Sequence, residues 1–436
     1  MLPSKLMYNN KIASAYARNF TSVIDAVNTS EYSVGQTAIF NLPTMNNQFL
    51  SGADSVLSLK LRTRNADANN TIAYRNLNRC GIAGCIQRLR IFHGSNLLQD
   101  IDNYGTLASL LTSYQLARED VEGKHSVLAG CDLGHGIDLN RVTGTDVAMP
   151  VSSEDEVAFA IPLLSILSLT DNYVPMFALT NAPLRLEIQF VSNIEQFISS
   201  ERPLSAPTTG KTFSNLKFIG NYLEVSDAGM AIIAESLGGR PLEWVCQSYA
   251  NYVFNTTLAN AEKQVSMPVP AKFNSLKALY FVTRQYFAGV ATRPADDMPK
   301  FDLKEYSVRI GSKVIPSTKP NTTPQFLAEM ERALGSVGNR VSPHSYQLSQ
   351  IVGDVSVTPA QNVVTGAFAV GIETESYSSA SMGSVYQGLN TSTDDIFYQP
   401  TFNAQGAGNS YDVRIDCFAS YDQLITIENG QASVQF

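Results

Sequence analysis

Apolar and polar residues alternate in short runs along most of this chain. The segments Ala38–Leu42, Val56–Arg62, Ile86–Phe92, Ala158–Leu163, Leu184–Val191, Leu276–Thr283, Tyr306–Ile310, Ala367–Thr374 and Tyr411–Phe418 put every second side chain on one face, and clusters of Gly, Pro, Asn or Ser bound each of them. A period of two belongs to a strand with one face in a core, so the pattern predicts an all-β protein. The helical period is confined to two stretches. Asp102–Gln115 follows the strand pair near residue 90, and Pro324–Leu334 opens with a proline suited to a first helical turn and stops at Gly335.

The two predicted helices sit in matching contexts. Leu89–Leu98 reads as strand, tight turn, strand, with Gly94-Ser95 at the turn, and Tyr306–Ile315 repeats that order around Gly311-Ser312. Glycine supplies the positive φ that a two-residue hairpin needs. The two Gly-Ser pairs lie 311 − 94 = 217 residues apart, half of the 436-residue chain, which predicts a duplicated architecture. Ser199–Ser214, with Pro203, Pro207 and Gly210, reads as the joint. The division that follows is an N-terminal arm over 1–24, a first β domain over 25–200, a linker over 201–214 and a second β domain over 215–436.

Charge narrows the functional classes. With 31 Lys+Arg against 39 Asp+Glu the formal charge is −8, so the chain offers no basic field for a phosphate backbone, and sequence-specific nucleic-acid binding is not expected. Charged residues make up only 16 %, well under the ~25 % of ordinary soluble proteins, and neutral polar residues, including 31 Asn, take their place. Ions resist drying most strongly, so such a surface is easier to bury against a partner. That points to an assembling protein. The arm stands apart: residues 1–24 carry Lys5, Lys11 and Arg18 and no acid, and Ile12, Tyr16 and Phe20 recur every four residues like one stripe of a short amphipathic helix. It predicts a contact with anionic lipid, packaged genome or a neighbouring subunit, with a disordered or locally docked tail as the alternative.

Candidate chemistry is sparse. Cys80, Cys85, Cys131, Cys246 and Cys417 are odd in number and scattered, which is no disulfide framework and predicts reduced thiols. Asn9 and Asn10 interrupt the only stretch that resembles an export signal, and the longest apolar run, Val157–Leu169, is shorter than the ~20 residues of a membrane span. Pro207–Thr212 resembles the tail of a phosphate loop, but Ser205 stands where the first glycine is required and strand-like sequence follows. Cys131 and His135, with His125 nearby, form at most half of a metal pattern, and His93 and His344 have no ligand spacing. Cys80 and Cys85 read as residues leading into a strand beside a turn. The acids Glu154-Asp155-Glu156 and Asp394-Asp395 read as solvated loop groups, and Asp100-Ile101-Asp102 as a helix cap. Tyr377, Tyr386 and Tyr398 raise the alternative of a sugar- or receptor-binding module. No catalytic, cofactor or metal residue is predicted, and the chain reads as no enzyme. A two-jelly-roll enzyme such as a glycan amidase is a further alternative.

Several segments, taken in order, resemble a known family. Cys85–Ile101 followed by Tyr104 and Leu107, then Val157–Leu163 with its Ile-Pro-Leu strand, Val174–Leu179 and the alternating Leu184–Phe190, are similar to the first half of the double jelly-roll major capsid proteins of tailless icosahedral DNA viruses. Phe273–Thr283, the Gly311-Ser312 hairpin and Ile425–Ala432 are similar to the second half, so the resemblance spans about residues 35–436. It implies two tandem eight-stranded jelly-roll sandwiches with short helices in the connecting loops, three chains forming a pseudo-hexameric trimer that tiles an icosahedral virion shell, and no enzymatic activity. Penton or minor capsid proteins are the implied neighbours, and Val121–Val151 and Gly335–Gln361 the implied outer loops.

Overall fold

The computed structural model describes residues 17–62, 75–131, 156–170, 172–200, 212–285, 296–335, 346, 351, 366–375, 388–405 and 410–436. In chain order the first sandwich contains β1 (Ala17–Asp25), β2 (Glu31–Tyr32), β3 (Thr37–Leu42), β4 (Gln48–Arg62), β5 (Arg75–Leu77), β6 (Ile86–His93), β7 (Asn96–Asp102), β8 (Glu156–Pro162), β9 (Leu184–Phe190), β10 (Ile198–Ser200) and β11 (Phe213–Val225). One sheet has the order β1-β11-β4-β8 with β2 added to β11, the facing sheet is β3-β9-β6-β7, and β5 pairs with β10 apart from both. The second sandwich contains β12 (Leu242–Leu258), β13 (Lys263–Gln264), β14 (Met267–Val269), β15 (Leu276–Gln285), β16 (Leu303–Ile310), β17 (Lys313–Ile315), β18 (Ala369–Glu373), β19 (Ile396–Phe402), β20 (Tyr411–Glu428) and β21 (Gln431–Gln435). Its sheets are β12-β20-β15-β18, with β21 on β20, and β19-β16-β17, with β13 and β14 both paired to the free side of β19. Every pair of named strands is antiparallel.

The two sheet orders are the same order. With β13 and β14 counted as one broken strand, β12, β13–β14, β15, β16, β17, β18, β19 and β20 occupy the places of β1, β3, β4, β6, β7, β8, β9 and β11. Each sandwich therefore has eight principal strands in two four-stranded sheets, the jelly-roll arrangement. The duplication read from the Gly-Ser pairs holds to the residue: β6 and β16 begin 303 − 86 = 217 positions apart, as do β7 and β17 with 313 − 96 = 217. Gly94 and Gly311 take φ of 59° and 57°, and the residues across each turn pair as His93 with Asn96 and Ile310 with Lys313. The stretches that follow, 103–155 and 316–368, both span 53 residues. Each opens into a helix, α1 (Tyr104–Gln115) in the first and α3 (Thr323–Leu334) in the second.

Inward-facing apolar side chains fill each sandwich, and aromatic pairs bridge its two sheets. Phe190 on β9 stacks on Phe213 of β11 at 4.2 Å between ring centroids. In the second sandwich Phe281 on β15 stacks on Tyr398 of β19 at 3.7 Å. Such rings contribute large buried area and a further ~1 kcal/mol of ring contact. Truncating Phe281 to Ala should cost about 3–5 kcal/mol, read as a lowered denaturation midpoint.

Two expectations are corrected here. Residues 17–24 belong to no helical arm: they form most of β1, which pairs with β11 from Ala17↔Val225 to Asp25↔Lys217. Phe20, Ser22 and Ile24 are half-buried while Thr21 and Val23 are exposed, a period of two, and Phe20 stacks on Tyr222 at 5.7 Å. Strand residues beside the open edge of β11 gain a ladder of backbone hydrogen bonds, which outweighs a helical stripe sharing only Phe20; Ile12 and Tyr16 lie outside the described residues. Phe213–Val225, expected in the linker and second domain, is β11 of the first sandwich, paired with β1 and β4. The chain crosses to β12 through a helix the periodicity did not predict, α2 (Asp227–Leu237). Residues 201–211 of the expected linker lie outside the described residues.

Candidate assembly surfaces and the seam between the sandwiches

The two sandwiches lie side by side with corresponding ends together. β7, the outer strand of one sheet of the first sandwich, packs against β12 and β21 of the second. Buried polar side chains stitch this seam: Gln99 Nε2 donates to Ser248 Oγ at 3.1 Å, Gln423 Nε2 donates to the Leu98 carbonyl at 2.6 Å, and Asn103 Nδ2 donates to Asn251 Oδ1 at 2.9 Å. The NH2 groups of these three amides donate across the seam, which fixes its register, because a shift would leave those donors dry and unpaired.

At the end carrying the long loops, Arg79 enters the second sandwich. Its backbone N–H donates to Asp296 Oδ2 at 2.8 Å, and its Nη2 donates to the carbonyls of Asp296 and Gly366. Guanidinium and carboxylate are both buried, 3 % and 0 % exposed, with Nε and Oδ2 at 3.8 Å. Burial pushes the Asp296 carboxyl above its ordinary value, with Arg79 pulling the other way. Tyr114 of α1 reaches across the same end, donating to the Ala367 carbonyl at 2.8 Å and accepting from Ala369 N at 3.2 Å. α1 is buried nearly all round, packed on β6 and the Ile82–Cys85 turn and touching α3, while α3 buries only Phe326 and Met330.

At the opposite end, His93 beside the Gly94-Ser95 turn is 2 % exposed, and its Nδ1 accepts from Ala432 N of β21 at 3.1 Å. Accepting at Nδ1 requires the neutral ring, and burial lowers the His93 pKa from its ordinary value. A folded pKa below the unfolded one gives a contribution fully present above about pH 6.5 and lost as pH falls through the folded pKa. Between about pH 7 and 5 the native chain should lose stability more steeply than its His93→Gln variant, as equilibrium denaturation at each pH would record.

The sequence candidates do not converge on a reaction centre. Cys131 is buried, His135 and His344 lie outside the described residues, and no group of three or more metal-ligating side chains occurs among those described. Glu156 is on β8, with Lys60 Nζ at 3.3 Å, and accepts from Ser214 Oγ at 2.8 Å; Glu154 and Asp155 lie outside. Asp395 meets Lys272 Nζ at 3.0 Å. Asp100 binds Arg88 across the hairpin rather than capping α1, whose N-cap is Asn103 without a side-chain cap bond. Thr212 is buried and is followed by a strand, β11, and not by a helix; residues 207–211 lie outside the described residues. Tyr398 is 1 % exposed inside the second sandwich and is closed to a sugar; Tyr377 and Tyr386 lie outside.

All five cysteines are buried, and burial pushes the Cys80 thiol up to about 12 and raises those of Cys85, Cys246 and Cys417 as well. A thiol without thiolate and without access is inert. Alkylation should label none of the five in the native chain and all five after unfolding, as intact mass would show. No described helix is long and apolar enough to cross a membrane.

No family model matches the chain. No curated protein matches it in sequence. Solved structures do match in fold. The chain of the Sputnik virophage particle at 3.5 Å is similar with a TM-score of 0.63 and 12 % identity, over 100 % of this chain and 92 % of that one. PBCV-1 VP54, fitted into a reconstruction of the virophage Sputnik, gives 0.62 and 13 % over 99 % and 100 % of the two chains. The mavirus major capsid protein gives 0.53 and 12 % over 100 % and 95 %. At such identities the likeness is one of fold, and it covers the full length of this chain: its fold is the double jelly roll shared by these structures.

Proposed function

We propose that this protein is a major capsid protein, a structural subunit whose three copies form a pseudo-hexameric ring tiling an icosahedral virion shell. The observation that carries the reading is the asymmetry of the seam. Within the chain, β7 of the first sandwich meets β12 of the second. By the duplicated order, the equivalents are β17 of the second sandwich and β1 of the first, and these are left open: Lys313 and Val314 of β17 are exposed, and β1 is exposed at Ala17, Arg18, Asn19, Thr21, Val23 and Asp25. Val314 on β17 and Val23 on β1 are 48 % and 55 % exposed. If the internal joint repeats between chains, β17 of one copy meets β1 of the next. Such a head-to-tail contact closes into a ring, and three chains supply six sandwiches turned by about 60° each. The low charge of the chain suits these dried contacts. The likeness in fold to the mavirus major capsid protein supports the same reading. Penton and minor capsid proteins are then the neighbours expected in the virion.

Light scattering tests the ring. The native species should weigh three times 47.5 kDa, and Val314→Glu should convert it to monomer while leaving stability within about 0.5 kcal/mol, because the side chain is exposed in the single chain. A native protein that stays monomeric at high concentration would overturn the reading.

A further inference from the structure

Where the start of α1 meets the second sandwich, a cavity of about 250 Å³ opens at the seam. Both sandwiches line it, the first with Gln87, Asn103, Thr106 and Gln196 and the second with Arg284 and Arg414. The two arginines are register partners on β15 and β20, and both turn to one carboxylate. Arg284 Nε donates to Asp416 Oδ2 at 2.8 Å; Arg414 Nε donates to Asp416 Oδ1 at 3.0 Å, with its Nη2 at 2.9 Å. Asp416 is buried and the arginines largely so. Two guanidiniums on one carboxylate leave one positive charge over, and neither Nη of Arg284 has an acceptor among the described residues. Burial pulls the Arg284 pKa down from its ordinary value; Asp416 opposes this and Arg414 adds to it. Asp102, the next acid, does not line the cavity, and its Oδ1 accepts from Gln87 Nε2 at 3.1 Å and Asn103 N at 2.9 Å. A poorly hydrated charge with unmet donors favours an anion.

The first sandwich supplies further donors. α1 has twelve residues, no acid in its first turn and no side-chain bond from its N-cap Asn103. The Asn103 amide is engaged elsewhere, donating to Asn251 and accepting from Gln87 Nε2 at 3.0 Å. Thr106 N and Leu107 N turn back to the Asn103 carbonyl at 3.1 and 3.2 Å, whereas Tyr104 N and Gly105 N meet no acceptor among the described residues. Thr106 itself is 1 % exposed, lines the cavity and makes no side-chain hydrogen bond among those residues. Unpaired N–H groups at the positive end of a helix, an unpaired hydroxyl and a pair of guanidiniums match the acceptors of a phosphate. A phosphate group presents three terminal oxygens where a carboxylate presents two, which suits donors arriving from two sandwiches.

We propose that this cavity binds a phosphate group, free or as the end of a monoester, between Arg284 and Arg414 of the second sandwich and Thr106 and the first turn of α1 in the first. The bound group ties the helix of one sandwich to the sheet of the other. Each chain carries the whole site, so binding requires no ring of chains.

Calorimetric titration of the full chain at fixed ionic strength tests the site, with inorganic phosphate and adenosine 5′-monophosphate as parallel probes. One saturable site per chain is expected. Tighter binding of the nucleotide makes a monoester the occupant, and equal or weaker binding makes it the free ion; either result supports the proposal. Arg284→Gln should weaken binding roughly tenfold or more, and Thr106→Val about threefold to tenfold. Asp416→Asn should tighten it roughly threefold, since the carboxylate that competes for both guanidiniums loses its charge. A gain in affinity does not come from a damaged fold, so this variant decides the matter even where Arg284→Gln fails to fold. No saturable heat with either probe, or an affinity that neither Asp416→Asn nor Thr106→Val changes, overturns the proposal.

Discussion

Replacing Asp296 with Ala is expected to destabilise the protein by about 3–5 kcal/mol, because the Arg79 guanidinium then remains buried at the seam without its counter-charge. The loss exceeds that of an exposed ion pair such as Arg18–Glu224, worth at most about 1 kcal/mol, since solvent stands ready to replace a partner there and not at Arg79. Asp296→Asn should lose less, because an amide oxygen still accepts from the Arg79 N–H. Replacing both ends, Arg79→Met with Asp296→Leu, should recover most of the loss, since the cost lies in a lone buried charge rather than in the pair. Denaturant midpoints for the four chains measure this; an Asp296→Ala midpoint equal to that of the native chain would show that the pair holds nothing.

The second large effect lies two residues along the same loop. Gly81 has φ 64° and ψ −142°, and a Cβ there would stand 1.9 Å from the carbonyl oxygen of Ala129. Both the torsion and the clash are with backbone, so no side chain can turn aside to absorb them. Gly81→Ala should cost about 3–5 kcal/mol, combining ~1–3 kcal/mol of torsional strain with a similar cost of overpacking. Gly123 is the control: no atom stands within 4 Å of a Cβ there, and Gly123→Ala should leave the midpoint nearly unchanged. The contrast separates a glycine required by its neighbours from one that is merely present.

The parts of the fold that were legible are those whose signal is local. Glycine at a two-residue turn needs no distant partner to take a positive φ, so both hairpins and their 217-residue spacing could be read directly. Short strands with one wet face, such as β3 and β9, show their alternation, and α1 and α3 show their period and stops. The long strands were legible only in part: Tyr411–Phe418 alternates, but β20 continues to Glu428 with a nearly continuous buried run, because both of its faces are covered. β11 was hidden by Gly220 and Asn221 in its middle. α2 carries a cap at Ser226 and a stop at Gly238, signals of the kind used for the other two helices, but its apolar run has no polar face to give it a period.

The candidate surfaces divide in the same way. Low charge and neutral polar composition pointed to an assembling chain, and that much is a sum over residues. Arg79, Gln99, Tyr114 and His93 gave no signal, because each matters through a partner more than a hundred residues away. From its sequence alone this protein determined its strand content, its turns and its repetition, since torsional preference and the alternation of apolar side chains belong to each short segment. Only the tertiary structure decided which sheet β1 and β11 join, which edges stay open and which polar groups are sealed between the sandwiches, since these depend on which distant faces come to exclude water together.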